Sequence, residues 1–211
     1  MAGTVVGASA QVYSVNVAGY VTMQMTNGLQ LINNPLDADG TGTNNSLYTV
    51  FGQTIPNLSV ATAYWQPTAT YSNCTYLSAT KKWSGPTNAV NAALQSGKGI
   101  FLKIIGASIT TTNVTVTGTV RQGALTNTFP VGLQILSSMV PQGGGVSSTL
   151  GFSAVNLDKI SRWDVGAQKF ANAFTYIAGK WSPSEPIINV GESFFITTHA
   201  SSKWIRNFTV Q

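Results

Sequence analysis

The chain has 211 residues, 43% of them hydrophobic and only 8% charged, against roughly a quarter charged in ordinary soluble domains, so it is not composed like a disordered chain. The net charge of +5 comes from scattered basic residues whose one adjacent pair is Lys81-Lys82, which argues against a nucleic-acid partner. The single cysteine, Cys74, excludes an intrachain disulfide and a Cys/His zinc centre, and no apolar run is long enough to predict a transmembrane helix.

Residues 1–10 end in Ala8-Ser9-Ala10 before Gln11, an A-x-A pattern that reads as the residue of a signal peptide, with an ordinary N-terminus as the competing reading. From Gln11 to Thr26 the pattern has period two. Tyr13, Val15, Val17, Val21, Met23 and Met25 share one face of a strand, Ser14, Asn16, Thr22 and Gln24 the other, and Gly19 is expected to form a bulge. Gly28-Leu29-Gln30 then opens a short apolar run. Next comes Asp37–Asn45, "DADGTGTNN", where Asp37 and Asp39 with neighbouring hydroxyls and carbonyls are hard ligands of the kind that calcium takes. No Glu closes that loop, so an Asp/Gly turn is the competing reading.

Ser46–Phe51 and the Ala-rich Thr87–Gln95 are the places where a turn or two of helix is expected. Short β-prone runs lie elsewhere between Gly, Asn and Pro punctuation. Val114, Val116 and Val120 alternate as the first strand does, and Gly143–Gly145 reads as a flexible loop.

Several of these landmarks occur twice and in the same order. Gly-Leu-Gln returns at Gly132; Trp65 and Trp83 stand 18 apart, as do Trp163 and Trp181. "TYLSATKKWSGP" (Thr75–Pro86) returns as "TYIAGKWSPSEP" (Thr175–Pro186), and "SGKGIFLKI" (Ser96–Ile104) as "VGESFFITT" (Val190–Thr198). The fold expected is therefore all-β: two tandem, duplicated sandwich-like or barrel-like units, 11–120 and 121–211, sharing a continuous segment over Val114–Asn127. Each Trp-Ser is expected to lid a β-core, with the indole N–H on the turn backbone.

Terminal strands without a neighbouring unit are open edges that could pair with another copy. Val12, Val15 and Val17 of the first strand and Trp204, Phe208 and Val210 of the last are the residues of such a contact. No nucleophile elbow accompanies the single histidine, His199, and the six acidic residues form no pair repeated in both units, so no catalytic residue and no cofactor is expected. The alternative is a carbohydrate-binding module stacking sugar on Tyr64, Trp65, Trp163 and Tyr176, with extracellular polysaccharide as partner.

"VYSVNVAGY" (Val12–Tyr20), "GLQLINNPL" (Gly28–Leu36) and "WSPSEPIINVGESFF" (Trp181–Phe195) together resemble the recurrent phrases of a family of uncharacterised exported proteins of verrucomicrobial-type bacteria. The resemblance implies a leader cleaved before Gln11 and export. It transfers no catalytic residue. The function expected is that of a secreted, non-enzymatic structural or surface protein that associates head-to-tail.

Overall fold

The computed structural model describes residues 17–52, 55–105 and 111–210, so Val12 and Val15 lie outside the described residues. The first half runs β1 (Ala18–Thr26), β2 (Gly28–Asn33), α1 (Leu47–Phe51), β3 (Val60–Trp65), β4 (Thr70–Leu77), β5 (Lys82–Ser84), α2 (Thr87–Ala92), β6 (Gly99–Ile104) and β7 (Thr111–Thr119). The second runs β8 (Gly123–Phe129), β9 (Gly132–Ser137), β10 (Gly144–Gly145), β11 (Lys159–Ser161), β12 (Trp163–Asp164), β13 (Lys169–Phe170), β14 (Phe174–Ile177), β15 (Lys180–Ser182), β16 (Ile187–Ile188), β17 (Ser193–Thr198) and β18 (Ser202–Phe208). The chain is all-β, with sandwich-like packing.

Each half holds one five-stranded sheet, ordered β2-β6-β3-β4-β5 in the first and β9-β17-β11-β14-β15 in the second. Each also holds a two-stranded ribbon made from its first and last long strands, β1 with β7 and β8 with β18. Corresponding strands thus occupy corresponding places. In the first half the ribbon covers one face of the sheet: Val21, Met23, Met25, Val114 and Val116 meet Ile32, Ala61, Ile100, Leu102 and Ile104 in one buried cluster. The alternation of β1 dictates this, since Thr22 and Gln24 on its other side are exposed. In the second half Phe129 and Trp204 of the ribbon join Leu136, Ile160, Phe194 and Ile196.

The other faces of the two sheets meet each other. Leu31 and Phe101 pack on Ile135 and Phe195, with Leu29, Tyr64 and Trp163 at the margin. A strand covered on both faces has no polar side, which is why β6 reads "GIFLKI" and β17 "SFFITT" without strict alternation. The short helices lie where the sequence puts them. Ser46 caps α1 by accepting from the Thr49 amide at 3.0 Å, and α1 buries Leu47, Val50 and Phe51.

Four local expectations change. Gly19 forms no bulge: it pairs in register with Gly118, and both glycines are needed for close approach. A Cβ on Gly19 would lie 2.9 Å from Val120 Cγ2, and one on Gly118 would collide with the Asp37 backbone carbonyl. The segment expected to join the halves as one strand is two, β7 and β8, separated by Val120–Gln122, where the Val120 amide turns to the Val17 carbonyl at 2.7 Å. The glycine triplet is ordered, because Gly144 and Gly145 pair with Ile188 and Ile187. Finally, Thr62 faces Phe101 as Ser161 faces Phe195, so the residue matching Trp163 is Tyr64 and not Trp65.

The Thr-Tyr/Trp-Ser phrases are two equivalent hairpins, with Tyr76 opposite Trp83 and Tyr176 opposite Trp181, ring centroids 5.5 and 5.3 Å apart. Both tryptophans are buried in their cores. The indole of Trp181 donates to the Ser147 hydroxyl at 3.0 Å instead of a turn carbonyl, and that of Trp83 has no partner among the described residues.

Gly99 and Ser193 are equivalent residues that face each other across the sheet contact, where a Cβ on Gly99 would collide with the Ser193 side chain and lie 2.8 Å from Ile135 Cγ2. Gly99→Ala should therefore destabilise the protein by about 1–3 kcal/mol in urea unfolding. Adding Ser193→Gly should recover part of that loss, the two changes being coupled in a double-mutant cycle.

Candidate functional site

The contact between the sheets is built from reciprocal pairs, as across a two-fold axis. The Asn33 amide donates to the Gly191 carbonyl at 2.9 Å, and the Ser137 amide to the Gly97 carbonyl at 3.1 Å. Two further bonds cross the contact without being equivalent: the Ser193 hydroxyl donates to the Ile32 carbonyl at 3.0 Å, and that of Ser137 to the Lys98 carbonyl at 2.9 Å.

Each Gly-Leu-Gln serves this junction. Gly28 and Gly132 both hold φ at 112°, a left-handed conformation that favours glycine. Over Gly28 lies Gln168 from the opposite half, accepting from the Leu29 amide at 2.7 Å and donating to its carbonyl at 3.1 Å. Over Gly132 lies Gln66, donating to the Val131 carbonyl at 2.9 Å. Gln134 ties its strand back to the Pro130 carbonyl at 2.7 Å, and Gln30 does the same to Thr26 at 3.3 Å.

Two matching clefts open beside the junction. One, of about 320 Å³, is lined by Gln30, Leu31, Arg162, Trp163 and Glu192. In it Arg162 binds Glu192 with two hydrogen bonds, of 2.6 and 2.9 Å. The other, of about 200 Å³, is lined by Tyr64, Trp65, Gln66, Lys98, Gln134 and Ile135. Here Lys98 stands where the first cleft has Glu192, and burial pushes its ammonium below the usual lysine range. Tyr71, its ring tilted against that of Tyr64 with centroids 5.1 Å apart, has its hydroxyl pKa raised by burial and by Tyr64.

The aromatic residues named for sugar stacking lie in three places. Tyr64 and Trp65 line the Lys98 cleft. Trp163 lines the opposite one and donates its indole N–H to the Leu29 carbonyl at 2.7 Å. Tyr176 packs on Trp181 away from both. Among the self-association residues, Trp204 is a core side chain, 1% exposed, whose indole donates to the Leu150 carbonyl at 2.8 Å. Val17 and Phe208 are half-buried against the first core, while Val210 is exposed.

Asp37 and Asp39, the residues that could hold a cation, are engaged by protein partners. Asp37 is 7% exposed, lies 3.7 Å from Arg121 and accepts from the Asn45 amide group at 3.4 Å. Asp39 accepts from the Thr41 hydroxyl at 2.6 Å and its amide at 3.0 Å, which holds its carboxyl below the ordinary value. The described residues contain no group of three or more His, Cys, Asp or Glu suited to a metal.

The remaining carboxylates are likewise fasteners. Asp158 accepts from the Val155 and His199 amides, both at 2.9 Å, and Asp164 from the Ala167 amide at 2.9 Å. Glu185 accepts from the Ser147 and Ser148 amides at 2.6 and 2.7 Å. Burial pushes Glu185 up, but the Ser148 and Ser147 hydrogen bonds outweigh it and its carboxyl sits below the usual range. His199 is exposed at the end of β17, its Nδ1 3.8 Å from Asp158. Cys74 is a buried strand residue whose thiol pKa is raised by burial.

No protein-family model, curated protein or solved structure matches the chain. Sequence reasoning missed Lys98, Gln66 and Gln168. For Lys98 the signal was present: aligning "SGKGIF" with "VGESFF" puts a lysine against a glutamate.

Two outcomes follow from these partners. Asp37→Ala leaves Arg121 buried without its carboxylate and should cost about 3 kcal/mol, equally in excess calcium and in EDTA, by thermal or urea unfolding. A depressed carboxyl pKa stabilises the fold above the unfolded glutamate pKa, and that contribution disappears as pH falls through the folded value. Glu185→Gln should therefore cost about 1–2 kcal/mol at pH 7, with the difference from the parent narrowing below about pH 4.

Proposed function

We propose that this chain is a non-enzymatic structural protein, exported to the cell surface or beyond, that associates with further copies of itself through open strand edges. The observation that carries the reading is the β1:β7 ribbon. Its strands, "AGYVTMQMT" and "TTNVTVTGT", are nine residues each, with no charge and no proline; among the described residues no third strand joins their sheet, and the outer edge of β7 is bridged at Thr119 alone, by Asp37. Natural edge strands of that length are usually blunted by lysine, proline or a bulge. Tyr20, 76% exposed on the same ribbon, adds an apolar contact. Beside it, each of the six carboxylates has a backbone or basic side-chain partner, which supports a fastening role for them. The repeated landmarks and the shared strand order support descent of both halves from one duplicated module.

Analytical ultracentrifugation over a concentration series, with electron microscopy of the heaviest fraction, tests the reading. The protein should form assemblies that grow with concentration. Thr22→Lys/Gln24→Lys, two changes on the exposed side of β1, should abolish them while altering stability by no more than about 1 kcal/mol. A monomer at every concentration, or a lysine variant that assembles as the parent does, would overturn it.

A further inference from the structure

The matching clefts offer an internal comparison. In the first, the charges of Arg162 and Glu192 neutralise each other within the wall. In the second, register places Ala63 where Arg162 stands and Lys98 where Glu192 stands. Among the described residues, no ion pair and no side-chain hydrogen bond involves the Lys98 ammonium. A cation half-buried without a counter-charge costs folding free energy that a bound anion would offset.

The rest of the wall is specific in kind. Tyr64 and Trp65 provide aromatic surface, and Pro67 and Pro130 close the apolar sides. Gln66 and Gln134 direct their amide nitrogens to backbone carbonyls, which leaves their amide oxygens for other donors. The volume of about 200 Å³ lies below the roughly 300–1,000 Å³ of sites for drug-sized ligands, so the occupant is a single ring. We propose that this cleft binds one acidic sugar residue of the uronic acid type, its carboxylate on the Lys98 ammonium, its ring against Tyr64 and Trp65 and its hydroxyls on the glutamine amides. The proposal is independent of self-association, because the cleft lies at the sheet junction and the open ribbon edges do not line it.

Titration of the full chain with sodium glucuronate, followed by backbone-amide NMR and Trp fluorescence, is the test. The expected result is saturable shifts at Lys98, Gly99, Gln134 and the Trp65 indole. Lys98→Met, and Lys98→Gln as a second variant, should weaken binding about tenfold or more with thermal stability unchanged or raised. Lys82→Met, on an exposed hairpin, should leave binding unchanged, and glucose should bind at least about tenfold more weakly. No saturable shift, shifts that persist in both folded Lys98 variants, or equal binding of glucose would overturn the proposal. Acetate acting as strongly as glucuronate would also overturn it, since recognition would then stop at the carboxylate.

Discussion

The contact between the outer faces of the two five-stranded sheets is the interaction on which the rest depends. Leu31 against Ile135 and Phe101 against Phe195 bring equivalent residues of the two halves together, with the Phe rings 5.9 Å apart. Each sheet is thereby covered twice, by its ribbon on one side and by the opposite sheet on the other. Burial on both faces is what allows a chain with so few charges to keep large apolar strands out of water. Because equivalent residues meet, size must be shared between them. Gly99 lacks a side chain where Ser193 has one, and the rings of Phe101 and Phe195 tilt at 37°.

The same junction explains the polar residues around it. Gln66 and Gln168 each reach over a glycine of the opposite half, so backbone groups at the rim have partners instead of facing an apolar seam. The acidic residues do comparable work elsewhere, holding turns at Ser147, Val155, Ala167 and Asn189. With 8% charged residues, the protein spends its carboxylates on fastening backbone, and hydroxyls and amides carry most of its polar surface. Two departures from reciprocity stand out. One is the exchange of Glu192 for Lys98. The other is the uncharged β1:β7 ribbon, whose counterpart β18 carries Lys203 and Arg206. Both proposed roles rest on places where the halves differ.

Local pattern by itself determined a good deal. Period-two alternation in Val21, Met23 and Met25 and in Val114 and Val116 specifies strands and their buried side, because successive side chains on an extended backbone point to opposite faces. Ser46 before an apolar turn specifies a helix start, and the recurring Gly-Leu-Gln and Trp-Ser phrases mark equivalent strands and hairpins. Tertiary structure alone decided the rest. Which strand closes each ribbon, which face of β6 meets β17, and whether Tyr64 or Trp65 answers Trp163 depend on register between segments far apart in sequence. A one-residue difference in a strand end moves a side chain to the other face without altering the local pattern. That Lys98 has no ion-pair partner among the described residues is of the same kind, since it is set by what stands across the cleft and not by its own neighbours in the chain.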